Sequence, residues 1–414
     1  MINTLLFDLD DTLLGNDMQV FLPAYFQGLA AYLPAGADPQ RVQAELINAT
    51  RAMIANSDAA RVLYDIFDEC FSYGTGWPEA IWRPIFDNYY AGTYRGLAAL
   101  TQRRPAARAI MEWAFGHGLT VAIATNPLFA EEPIRERLRW AGIADFPYAL
   151  ITHIELSHFA KPHPEYFAET LARLGRRPEQ VLVIGNDWDN DMTAAAAAGL
   201  RGYYVTDPSQ SDAPVNPAWA SSAAEAVALA PEPLASGTLD DFLAWARTHL
   251  ADVPPPAPTD GRTLPYHLAG NLAVVTGALS GLPEAAWKQR PSAGEWSLTE
   301  LICHLRDVER EVNLPRLRSV VETPNPFVAG ADTDPWATER AYQTQSGPAA
   351  LRDFTAARRE TARYLRAQPN SIWTRTARHA IFGPTQLIEI VGWILDHDRI
   401  HLEQMRGTIA RVSP

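Results

Sequence analysis

The chain has 414 residues, a formal net charge of −13 and two cysteines. That length allows two or three domains; the acidity excludes the basic footprint of a nucleic-acid partner, and the thiol count excludes a disulfide framework or zinc ribbon. Acidic residues interrupt the N-terminal apolar stretch within eight positions and no apolar run reaches membrane-spanning length, so a soluble cytoplasmic protein without a signal peptide is expected.

Residues 5–13, LLFDLDDTL, set Asp8 and Asp10 directly after an apolar strand. A spacing of two lets both carboxylates lean the same way from extended backbone. One can attack while the other moves a proton; the same string also reads as an acidic turn capping a helix. From about 15 to 100 the periodicity is helical and rich in aromatics, including Tyr25, Phe67, Trp82 and Tyr90. That is too long for one crossover and predicts an inserted helical subdomain, with most of these rings forming its own core.

Short apolar strands at 120–124, 148–151, 181–184 and 202–205 alternate with helical patterns, which predicts an α/β Rossmann-like parallel sheet. Strand 120–124 ends in Thr125-Asn126, a hydroxyl and an amide suited to a phosphoryl oxygen or, equally, to a helix cap. Lys161 in AKPHPEYF precedes a proline and so sits in extended backbone. VLVIGNDWDNDM puts Asn186, Asp187, Asp189 and Asp191 after the next strand. This is either a plain acidic turn or a hard-oxygen site of the kind Mg²⁺ prefers. Residues 236–251 read as a closing helix.

These four fragments, in this order, resemble the haloacid dehalogenase (HAD) superfamily: DLDDT, Thr125, Lys161 and GNDWDND stand where its four motifs stand. The helical insertion resembles the cap of subfamily I, and the likeness covers about residues 1–250. It implies Asp8 as the nucleophile that forms an aspartyl-phosphate and binds Mg²⁺, and Asp10 as the general acid/base, touching the metal through its carbonyl. Thr125 is then the phosphoryl-binding hydroxyl and Lys161 the charge neutraliser. Members that dehalogenate carbon or pump ions generally lack an acid/base at the position of Asp10, so its presence favours phosphate ester hydrolysis. One departure stands out: the usual G-D pair is Gly185-Asn186 here. Asp187 is expected to take the metal role with Asp191 as its partner, and a neutral Asn186 ligand is the alternative.

VPPPAPTDG at 253–261 reads as a stiff linker. The expected division is 1–252 for the hydrolase-like domain, 253–262 for the linker and 263–414 for a C-terminal domain. Helical patterns at 264–280, 298–311, 349–367 and 385–409, with a connection from about 315 to 347, predict an all-α four-helix bundle. Ser297 and Glu300 form a capping box at the second helix, and Gly383-Pro384 marks the start of the fourth.

His397 and His401 share one face of the fourth helix, behind Ile390 and Ile394, and His304 shares the inward face of the second with Leu301 and Val308. Singly, each reads as a buried core histidine. Together, three imidazoles inside a bundle can hold a transition metal with positions left open. Glu295-Trp296-Ser297, the run from His304 through Asp307 to Glu309, and His397 with His401 and Gln404 resemble the DinB-like (YfiT-like) bundles, over about 264–408. The resemblance implies a Zn²⁺ or Ni²⁺ triad, and some relatives transfer low-molecular-weight thiols.

The expectation is therefore a Mg²⁺-dependent phosphatase acting on a small phosphorylated metabolite, joined to a metal-binding bundle, with no nucleic-acid or membrane partner. Helix faces of such bundles are compatible with a homodimer. The alternatives are a phosphotransferase or mutase, or a catalytically weak ligand-binding sensor.

Overall fold

In the computed structural model, which describes residues 1–206, 233–254 and 260–412, the apolar run TLLF forms strand β1 (Thr4–Phe7), buried along its whole length. The following elements are α1 (Met18–Ala30), α2 (Pro39–Ile54), α3 (Leu63–Thr75), α4 (Glu79–Ala91), α5 (Pro105–Gly116), β2 (Thr120–Ile123), α6 (Glu131–Ala141), β3 (Leu150–Ile151), α7 (Pro164–Leu174), β4 (Val181–Gly185), β5 (Arg201–Val205), β6 (Ala235–Gly237) and α8 (Leu239–His249). The strands form a six-stranded sheet among the described residues, in the order β3-β2-β1-β4-β5-β6, with every adjacent pair parallel. Continuous Val, Ile and Leu runs fit a sheet covered on both faces. On one face Phe7, Val121, Ile123, Leu182 and Ile184 share a core with Ile110, Met111 and Phe242.

The chain runs outward from β1 to β3 on one side and from β4 to β6 on the other. The order therefore switches between β1 and β4, where open α/β sheets place their sites. The expected strand at 148–151 shrinks to two residues, because the Tyr148 N–H turns back to Phe146 O. Strand β6 carries no apolar signal: it is Ala-Ser-Gly, and the helix expected from 236 begins only at Leu239, behind a Thr238–Asp241 capping box.

Helices α1 to α4 form the insertion. Leu14–Gly15 pairs antiparallel with Gln102–Arg103, so the two ends of the insertion are clamped together. Its interior is aromatic: Tyr25, Phe67, Phe71, Trp82, Phe86, Tyr89 and Tyr90 are buried in one cluster, with Phe67 and Trp82 edge to face at 5.2 Å.

The chain divides into two compact units, Met1–Pro258 and Thr259–Pro414. Of the expected linker, residues 255–259 lie outside the described residues. The second unit contains α9 (Leu264–Leu279), α10 (Leu298–Val308), α11 (Leu314–Glu322), β7 (Phe327–Val328), α12 (Gly347–Arg366), β8 (Thr376–His379), β9 (Gly383–Gln386) and α13 (Leu387–Val412). The expected capping box is present, since Ser297 accepts from Glu300 N and Glu300 accepts from Ser297 N.

Two expectations are corrected here. The second helix does not stop at 311: a π-helical turn, Glu309–Asn313, joins α10 to α11. Pro315 follows directly behind that turn, in the first turn of α11. Gly383-Pro384 does not open the last helix but lies in β9, an edge strand, with Gly383 at φ +74. The bundle thus carries a small sheet, β9-β8-β7, beside its helices. Among the described residues no helix is long and apolar enough to cross a membrane.

Candidate functional site

The carboxyl edge of the large sheet gathers the side chains singled out in the sequence. Asp8 follows β1 directly, and its N–H donates to Ile184 O of β4 at 2.9 Å. Lys161, just ahead of α7 and 2% exposed, places Nζ 2.9 Å from Asp8 Oδ1 and 2.5 Å from Asp191 Oδ1. Its backbone is splinted by Asn126, whose Oδ1 accepts the Lys161 N–H at 3.2 Å while Nδ2 faces Lys161 O at 3.5 Å. Asn126 thereby helps to orient Lys161, and it lines the same cavity as Asp8. Burial works against a charged ammonium, yet Asp191 and Asp8 overcome it and hold Lys161 protonated. Burial likewise pushes both carboxyls up, with Lys161 opposing.

Asp191 belongs to a π-helical turn, Trp188–Thr193, that follows β4. A Cβ on Gly185 would lie 2.2 Å from Asp191 Oδ2, so glycine there is what lets the carboxylate fold over the strand end. Asp187 caps this turn: Oδ1 accepts from Asp189 N at 3.0 Å and Asn190 N at 2.9 Å, and Oδ2 from Asn190 Nδ2 at 2.8 Å. Asn186 takes the Thr12 hydroxyl on Oδ1 at 2.8 Å, and its Nδ2 is buried without a partner. Asp8, Asp10, Thr125, Lys161, Asn186, Asp187 and Asp191 all line one cavity of about 180 Å³, walled on the insertion side by aromatic residues including Tyr25, Tyr64 and Trp82.

Sequence reasoning missed one member. Asp10 Oδ1 accepts from Asn16 Nδ2 at 2.8 Å, and Oδ2 pairs with the guanidinium of Arg137, which is buried on α6. The available signal was an arginine set within the apolar stripe of Ile134, Leu138 and Ala141.

The donor set fits a hard divalent cation. Two buried carboxylates, Asp8 and Asp191, share a single ammonium, with Asp187 on the same turn, leaving an oxygen-rich and net negative pocket.

A second constellation lies in the bundle. His304 of α10 and His397 and His401 of α13 bring their Nε2 atoms together, with 3.1 Å from His397 to each of the others. They form a group of possible metal-ligating atoms all within 4.8 Å of one another. Gln404 Oε1 sits 2.7 Å from His401 Nδ1 and can only accept, so that nitrogen carries the proton and Nε2 presents its lone pair. Burial holds the rings neutral, with His304 brought down to about 3 and His401 to about 4. Converging neutral imidazole nitrogens suit a borderline transition metal. Trp296 stacks on His401 with an interplanar angle of 7°. His397 also borders a cavity lined by Val308, Arg316, Phe382, Trp393 and Ile394, so the triad has an open side.

Beneath the triad lies an ion cluster that the sequence did not disclose. Arg358 of α12, 1% exposed, bonds Glu309 Oε2 at 2.9 Å and Asp398 Oδ1 at 2.9 Å.

Residues 2–199 match the family of haloacid dehalogenase-like hydrolases, and residues 267–405 match the DinB superfamily. Phosphoglycolate phosphatase of Yersinia pseudotuberculosis is 33% identical over 118 residues, 28% of this chain and 47% of that protein. The chain thus spans about half the length of that relative. Pyrophosphatase PpaX of Anoxybacillus flavithermus is 26% identical over 200 residues, 48% of this chain and 81% of that protein. Among solved structures, YfiT of Bacillus subtilis, with an unusual four-helix bundle topology, is 15% identical with a TM-score of 0.34, covering 38% of this chain and 91% of that one.

Proposed function

We propose, for a chain that belongs over residues 2–199 to the haloacid dehalogenase-like hydrolases and over 267–405 to the DinB superfamily, that it hydrolyses a small phosphate monoester through an aspartyl-phosphate on Asp8. The work divides between a hydrolase domain at 1–252, a linker at 253–262 and a metal-binding bundle at 263–414. The observation that carries this reading is Lys161 bridging Asp8 and Asp191 at the cavity that Asp10 and Thr125 also line.

Asp8 attacks phosphorus, and the bond from phosphorus to the leaving oxygen breaks as Asp10 gives that oxygen a proton. Water then attacks the acyl-phosphate, Asp10 takes up its proton, and inorganic phosphate leaves with Asp8 restored. The Thr125 hydroxyl donates to the phosphoryl group in transit. Lys161 keeps positive charge beside the nucleophile, since a phosphate dianion will not approach bare carboxylates. Mg²⁺, held by Asp8, the Asp10 carbonyl, Asp191 and a ligand from Asn186 or Asp187, supplies further charge neutralisation when bound. Aromatic walls of the insertion exclude water and select the leaving group. In the bundle, His304, His397 and His401 hold Zn²⁺ or Ni²⁺.

Hydrolysis of p-nitrophenyl phosphate in Mg²⁺ by the native chain, and its loss in Asp8→Asn, tests the reading. Equal rates in the two chains refute it. The similarity to phosphatases favours water as acceptor; phosphate recovered on a second substrate molecule would instead indicate a phosphotransferase or mutase.

A further inference from the structure

Beside the triad the bundle carries a cation that no carboxylate of the described residues meets. Arg316 of α11 is half-buried and lines the cavity of about 230 Å³ that His397 also borders. Its Nη2 donates to Ala329 O at 2.6 Å; Nε and Nη1 have no partner among the described residues, and neither is sealed from solvent. Burial works against the charge that is left there. His379 of β8 lines the same cavity. Its Nδ1 accepts from the backbone N–H groups of Ile381 at 3.2 Å and Phe382 at 3.3 Å. Burial, and then the charge of Arg316, hold this ring below its ordinary pKa, so it is neutral and its one proton sits on Nε2. That N–H likewise meets no acceptor among the described residues. Most of the remaining wall is apolar: Phe382, 60% exposed, lies 4.4 Å from Trp393 between ring centres, and Ile394 joins them.

We propose that this cavity of the bundle binds a small monocarboxylic acid with an aromatic body, its carboxylate on Arg316 and the His379 Nε2–H and its ring against Phe382 and Trp393. The site stands apart from the phosphatase reading above. The bond to Ala329 anchors the guanidinium and leaves its other N–H donors for the anion, and a charge-assisted bond of this kind is about twice as strong as a neutral one. One cation and one neutral donor match a single negative charge; a phosphate dianion would be left half-neutralised. A few polar groups set in an apolar wall are how small-molecule sites fix orientation, and the volume lies below the roughly 300–1,000 Å³ of drug-sized pockets, so the ligand is small. Because His397 borders the same cavity, a bound acid sits beside the open side of the triad.

The test is calorimetric titration of the full chain, in Zn²⁺, with phenylacetate and with phenylacetamide, its neutral isostere. Phenylacetate should bind about 10- to 100-fold more tightly than the amide. Arg316→Gln, which touches no residue of the triad, should remove that difference and leave the amide unchanged. Equal affinity for acid and amide, or no binding of phenylacetate at millimolar concentration, overturns the proposal. A preference that survives Arg316→Gln also overturns it, and puts the carboxylate on the metal or elsewhere in the chain. Should Arg316→Gln not fold, His379→Phe keeps a ring at the cavity but removes the Nε2 proton, and should weaken phenylacetate by about 10-fold; unchanged affinity there overturns the proposal.

Discussion

Lys161 Nζ stands 2.9 Å from Asp8 Oδ1 while its other partner, Asp191, is 2.5 Å away, so one buried ammonium serves both the expected nucleophile and the acidic turn. Removing it has two separable consequences. Lys161→Ala should lower kcat/KM for p-nitrophenyl phosphate by about 10²- to 10³-fold, as for loss of one charge-stabilising donor. It should also cost about 3–5 kcal/mol of stability, because two buried carboxylates lose their counter-charge. Asp8→Asn should lose the activity but keep Lys161 on Asp191, and so unfold in urea near the native midpoint. If the two variants unfold alike, Lys161 has no structural role.

The acid limb of stability should trace to Glu169. It is 2% exposed; its Oε1 lies 2.9 Å from His158 Nδ1 and accepts from Arg173 Nε at 3.0 Å, and its Oε2 accepts from His158 N at 2.9 Å. Burial alone would raise its pKa, but Arg173 and His158 hold it down at about 2 against an ordinary 4.5. A depressed carboxylate contributes stability that is fully present above the unfolded value. That contribution fades as pH falls from about 4.5 toward 2, on the order of 3 kcal/mol in all. Glu169→Gln should flatten the stability profile across that window. An unchanged slope in urea titrations from pH 5 to 2.5 would contradict this.

The parts of the site borne by regular strands were legible in the sequence, and the parts borne by long-range pairing were not. Asp8, Thr125 and the 186–191 turn follow buried apolar strands whose periodicity and length give them away. Asn126 reads from the sequence as a phosphoryl hydrogen-bonder or a helix cap, and only the fold shows its bond to the Lys161 backbone, a partner 35 positions on. Arg137 and Arg358 look like ordinary helical arginines, since only packing reveals that each faces a carboxylate inside the protein. Strand β6 carried no pattern because small residues at a sheet edge leave none. The π-helical turn at Glu309–Asn313 was hidden because an inserted residue keeps helical periodicity on both sides.

Arg358 offers a direct measure of the buried cluster in the bundle. It is wedged between Glu309, fully buried, and Asp398, 4% exposed. Arg358→Met conserves much of the volume but strands two carboxylates in the interior. The penalty should be about 3–5 kcal/mol, a fall of about 10 °C in the melting temperature of a unit this size. Scanning calorimetry of the full chain reads this as a shift of one transition and not the other. A shift of less than about 2 °C would mean that water or protonation already relieves the cluster.

Metal binding in the bundle should depend on Gln404 as well as on the triad. The ligands His304, His397 and His401 present nitrogens that burial keeps free of protons at neutral pH. Which nitrogen of His401 is free is decided by Gln404, whose Oε1 holds the Nδ1 proton at 2.7 Å. Gln404→Leu removes that acceptor without touching a ligand atom, so the ring is released to the wrong tautomer and orientation. Affinity for Zn²⁺ or Ni²⁺, measured by competition with a chromophoric chelator, should fall about 10- to 100-fold. His304→Ala and His401→Ala should each abolish stoichiometric metal in the purified chain. Full metal content in both alanine variants would dismiss the triad. Unchanged affinity in Gln404→Leu alone would leave the ligands in place and show that Gln404 does not set the tautomer.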